Sequence, residues 1–113
     1  FVALAEMTIT RTTRGRPVAV AFTGSFTVTS TLSMGDSAEI AIFVDGVEVP
    51  GTARRASLSN GLALSTVVEL SASKTIELAA GSHTFEARFR RPGANGNATA
   101  YSTQRALAVQ EAY

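Results

Sequence analysis

The sequence predicts an all-β protein, an antiparallel sandwich of two sheets with about eight strands. Three observations predict it. Side chains alternate in type along several stretches, most clearly Ser82 to Arg90, where Phe85, Ala87 and Phe89 face one way and Thr84, Glu86, Arg88 and Arg90 the other. A period of two fits an extended strand with one buried face and fits no helix. No segment keeps the i, i+3, i+4, i+7 apolar stripe of a helix, and β-branched residues with Ser and Gly dominate. Turn signals recur at the spacing of roughly 8–12 residues that marks sandwiches and barrels.

The elements follow in order. Ala3 to Arg11 reads as the first strand, with Met7 and Ile9 on one face. Val18 to Ser30 is a long second strand: Val18, Val20, Phe22, Phe26 and Val28 share one face, and Thr23, Ser25, Thr27 and Thr29 the other. Gly24 falls on the inward face, the place of a bulge or a close approach. After a turn at 34–37, Ala38, Ile40, Ile42 and Val44 alternate with Glu39, Ala41 and Phe43. Asp45-Gly46 before Val47-Glu48-Val49 is a strong two-residue hairpin signal. Pro50-Gly51 ends that strand, and Thr52 to Ser59 reads as a loop or irregular edge. Asn60-Gly61 turns into a strand over 62–70. Ser71 to Lys74 then separates it from a short strand over 75–78. The strand over 82–90 follows, then a Gly/Asn-rich loop at 91–97 and a last strand or pair of strands from Ala98 to Ala112, with Leu107 and Val109 inward.

One domain spans 1–113, with residues 1–16 as an N-terminal arm or edge strand. Its apolar fraction of 45% is rich in alanine and only 7% of the chain is aromatic, so the core is thin and partner chains can supply burial. A net charge of +1 argues against nucleic-acid binding. The phenylalanines fall at inward positions, which leaves no stacking platform for single strands. With no cysteine, stability rests on packing or oligomerisation, and thiol chemistry is excluded. No apolar run approaches the roughly 20 residues that span a bilayer, so no membrane insertion is expected, and no signal-peptide pattern is visible.

Residues that could carry catalysis are few. His83 is the single histidine; it reads as a packed or strand-end residue rather than a catalytic base, and no second histidine exists to complete a triad or a multi-imidazole metal site. The acids Glu39, Glu48, Glu69, Glu77 and Glu86 are scattered, most of them at positions that read as outward and solubilising, while Asp36 and Asp45 suit turns without calcium. No cofactor and no metal are expected, and the chain reads as a non-enzyme. Arginines cluster at 11, 14 and 16, at 54 and 55, and at 88, 90 and 91. Converging on one surface they could hold phosphate, sialic acid, a sulfated sugar or an acidic partner surface; apart, they protect strand edges. The candidate interaction surface is Arg54, Arg55, Arg88, Arg90 and Arg91 with Asn95, Asn97 and Tyr101.

Ile76-Glu77-Leu78, Gly81-Ser82-His83-Thr84-Phe85, Arg88-Phe89-Arg90-Arg91, Ala98-Thr99-Ala100 and the closing 105–111 strand, with the Val44-Asp45-Gly46-Val47 hairpin, together form one pattern. It resembles the small jelly-roll head domains of phage tail-fibre and virion proteins and of bacterial surface proteins, which look broadly like trimeric complement and tumour-necrosis-factor heads. The resemblance implies a jelly-roll-like sandwich, self-association as a trimer, and a structural or receptor-binding role on a virion or extracellular surface. Its expected partners are copies of itself, other virion or surface-fibre proteins, and a cell-surface glycan. A carbohydrate-binding module using Tyr101, Asn95 and Asn97 is the rival reading.

Overall fold

The computed structural model describes residues 2–30, 37–57, 64–90 and 99–112, with side chains over 7–26, 38–56, 67–90 and 105–112. Eight strands run through it: β1 (Val2–Thr13), β2 (Val18–Ser30), β3 (Ser37–Val44), β4 (Val47–Glu48), β5 (Arg54–Ser57), β6 (Leu64–Ile76), β7 (Gly81–Arg90) and β8 (Thr99–Glu111). They form two antiparallel sheets, as the alternation predicts. A five-stranded sheet has the order β1-β7-β3-β4 with β5 also on β3, and a three-stranded sheet has the order β6-β2-β8.

The pairing is nested. β5 lies on β3, β6 on β2 and β7 on β1, so the chain winds outward from the β3–β4 turn as a folded ribbon and places successive layers in opposite sheets. This is jelly-roll-like winding. The core lies between the sheets. Val18, Val20, Phe22 and Phe26 from β2 meet Ile40, Ile42, Phe85 and Ala87 from β3 and β7, all buried. Phe26 stacks on Phe89 with ring centroids 5.2 Å apart, a bond between the layers beyond simple area burial.

Gly24 sits inward, as its place in the alternation requires. The reason is two phenylalanine rings rather than another backbone: a Cβ there would stand 2.7 Å from Phe22 Cζ and 3.2 Å from Phe26 Cε2. The expected bulge is present as a register shift between Gly24 and Phe26 on β8.

Three expectations need correction. Residues 71–74 do not break a strand: β6 pairs residue for residue with β2 from Leu64 to Ile76, because an uninterrupted neighbour holds Ser and Lys in the ladder against their weak strand preference. The stretch read as loop or irregular edge contains β5, whose Arg54–Ser57 backbone pairs with β3. And β3 is buried on both faces, with Glu39 8% exposed and Ala41 fully covered, so Glu39 is no solubilising surface acid.

Candidate functional site

The arginines of the expected surface come together only in part. In the five-stranded sheet Glu39 lies opposite Arg55 on β5 and Arg90 on β7, so the three form a row across the outer face. The Arg90 guanidinium donates to Glu39, which accounts for an acid in a covered position. Arg88, one register step along, donates from Nη2 to Glu86 Oε1 at 2.8 Å. Its guanidinium carbon stands 4.3 Å from the centre of the Phe43 ring, a cation–π contact. Arg88 is therefore largely a packed residue that roofs Phe43, and Arg55 and Arg90 are the more accessible members of the row. Arg54 shares its register position with inward Ile40 and donates from Nη1 to the Gly51 and Ala53 carbonyls at 2.9 and 2.8 Å. That bonding pins the loop before β5. Arg91, Asn95, Asn97 and the side chain of Tyr101 lie outside the described residues.

A second constellation joins residues that the sequence shows only separately. Asp45 and Gly46 both take positive φ, 51° and 82°, the turn expected of Asp-Gly between two strands. The turn aims the Asp45 carboxylate at the start of β7. Oδ1 accepts the Thr84 N–H at 2.9 Å, Oδ2 lies 2.6 Å from His83 Nδ1, and the Asp45 N–H donates to the Thr84 carbonyl. His83 Nε2 stands 2.7 Å from the Ala79 carbonyl. Both groups facing the ring are acceptors, so the ring donates from both nitrogens, as an imidazolium does. The hydrogen bond to Asp45, then that to Ala79, raises the His83 pKa above its ordinary 6.5. The same bond to His83, followed by that from Thr84, lowers the Asp45 pKa. This is a clamp between the β3–β4 hairpin and β7, with no ring nitrogen left to take a proton from a substrate. His83 is a strand-end residue held in an ion pair.

Glu111 performs a similar task at the sandwich end. Its Oε2 accepts the Arg14 and Arg16 backbone N–H groups at 2.6 and 3.3 Å, and Oε1 lies 3.5 Å from Arg14 Nε. The Arg14 N–H above all holds the carboxyl below its ordinary range. What the sequence offers as a basic cluster thus serves, at Arg14 and Arg16, partly as a backbone anion cradle for the chain's own C-terminal strand. No composition signal reveals that; only the pairing of Val18 with Glu111 brings the loop and the acid together.

The outer face of the three-stranded sheet has another character. Ala19, Ala21 and Thr23 on β2, Ser73 and Thr75 on β6, and Ala108 on β8 are exposed and short. The register puts them on one surface, since opposed residues of an antiparallel ladder share a face. Among the described residues, no group of three or more His, Asp or Glu is placed to hold a metal ion. Compared with known protein families, curated proteins and solved structures, the chain finds no significant match.

Proposed function

We propose that this chain is a non-enzymatic structural module of a virion or extracellular surface appendage that associates with copies of itself. The observation that carries this reading is the outer face of the β6-β2-β8 sheet. The centre of this face is a run of short Ala, Ser and Thr side chains, bordered by Glu69, Val67 and Gln110, on which a second sheet could seat at ordinary sheet-packing distance. The opposite face of the molecule carries the Arg55–Glu39–Arg90 row, a polar surface suited to contact with neighbouring proteins of the same particle. His83 supports a structural role as well, because both of its nitrogens are engaged within the chain.

Size-exclusion chromatography with light scattering tests the reading. The expected result is a defined homo-oligomer at micromolar concentration. A clean monomer across that range would overturn it.

A further inference from the structure

We infer that the free edge of β8 pairs with β8 of a second copy of this chain, antiparallel and centred on Ala108. The inference rests on the self-associating reading above and adds to the outer face a second contact, at the edge of the same sheet.

Among the described residues no strand hydrogen-bonds to this edge, although β1 of the other sheet passes near β8. β3, β2 and β1 each carry their ribbon partner, β5, β6 and β7, whereas β8 has β2 on one side and, among the described residues, no paired strand on the other. Most of the remaining edges are blunted in the ways sheets avoid adhesion. β1 carries a register shift between Ala3 and Thr8, as β8 does nearer its start, and pairs without a break over the six residues Thr8–Thr13. β6 carries inward-pointing Lys74, whose ammonium crosses to the Pro50 carbonyl. β4 and β5 are two and four residues long. From Arg105 to Glu111, β8 runs against β2 without a bulge, and it contains no proline or lysine.

The backbone phase of this edge is fixed. The Ala112 N–H donates to the Pro17 carbonyl at 2.8 Å, so even-numbered residues turn their polar groups toward β2. Arg105, Leu107, Val109 and Glu111 therefore turn N–H and C=O to the open side. A twofold axis at Ala108 sets Leu107 against the second copy's Val109, and Arg105 against its Glu111. These are the residues in phase to exchange both backbone bonds. Inward charges on an edge strand ordinarily repel a partner, but this register brings opposite signs together. Among the described residues, Arg105 Nε is buried with no hydrogen-bond partner, and Glu111, whose Oε2 takes the Arg14 and Arg16 N–H groups, has on Oε1 only the 3.5 Å contact with Arg14. The pair joins two three-stranded sheets and doubles the flat Ala/Ser/Thr face. Its symmetry is twofold, unlike the trimer implied by the resemblance to complement-like heads.

The chain has no cysteine, so Ala108→Cys introduces a single thiol. Residues opposed in this non-hydrogen-bonded position stand about 4.5 Å apart at Cα, within reach of a disulfide. With oxidised glutathione, Ala108→Cys is expected to become a covalent dimer, while Ala106→Cys and Ser73→Cys on the same face stay uncross-linked. Arg105→Glu, which sets like charges against each other, is expected to weaken the dimer about tenfold in sedimentation equilibrium. An oligomer in which Ala108→Cys cross-links no faster than Ala106→Cys, a trimer included, overturns the edge pairing and leaves the self-associating reading standing. A monomer throughout overturns both.

Discussion

Replacing Thr52 with valine is expected to remove a buried bond without making a cavity. Thr52 is fully buried, and its hydroxyl joins two parts of the β3–β4 hairpin. Oγ1 accepts the Ile42 N–H at 3.1 Å and donates to the Val49 carbonyl at 2.7 Å. Valine has nearly the same shape, so packing is preserved and the change is mainly polar. The Val49 carbonyl keeps a partner, because the Thr52 backbone N–H reaches it at 3.3 Å. The Ile42 N–H does not, and a buried unsatisfied donor costs roughly 1–3 kcal/mol. For a domain of this size, a loss of about 2 kcal/mol lowers the melting temperature by about 8 °C. Urea denaturation should show a lower midpoint at unchanged slope. Thr52→Ser keeps both bonds and loses one methyl group, about 1 kcal/mol, so it should fall between wild type and the valine variant. A valine variant within about 0.5 kcal/mol of wild type, or more stable than the serine variant, would refute the role given to this hydroxyl.

Other perturbations test the remaining joints. Gly24→Ala forces a Cβ into the Phe22 ring at 2.7 Å, and overpacking of this kind should cost about 1–3 kcal/mol in chemical denaturation; a neutral result would mean the rings move freely. The His83–Asp45 clamp sets a pH window. His83 has a raised folded pKa, so its contribution is complete below its unfolded value near 6.5 and is lost as pH rises through the folded value. Asp45 has a lowered pKa, so its contribution holds above about 3.8 and is lost as pH falls through the folded value. Melting curves of wild type should therefore decline as pH rises above about 6.5, and those of His83→Gln should be flatter over that range; parallel profiles would exclude the clamp.

The legibility of this chain follows physical range. Alternation of side chains is local, so β7 with Phe85 and Ala87 inward could be read directly, as could the Asp45-Gly46 turn, whose positive φ values few other residue pairs accept. Gly24 could be placed on the inner face but its cause could not, since the two rings that cover it are set by packing. The break expected at 71–74 failed because a strand is held by its neighbour's backbone as much as by its own residues. The burial of Glu39 escaped notice because alternation alone assigns β3 one wet face, whereas Arg88 and Arg90 of β7 fold over that face.

The candidate sites divide along the same line. Sequence supplied the arginines at 54, 55, 88 and 90, but the strand order decided that Arg55 and Arg90 share a row through Glu39 and that Arg54 turns to its own loop. By itself the sequence determined an all-β sandwich, its hairpin turn and most of its inward residues, because those depend on period and backbone preference. Only the tertiary structure decided which strands meet. That choice joins His83 to Asp45 and Glu111 to the Arg14–Arg16 backbone and, among the described residues, leaves β8 without a paired strand on its outer side. Such partners lie far apart along the chain, and pairing energy spread over whole strands, rather than any local motif, brings them together.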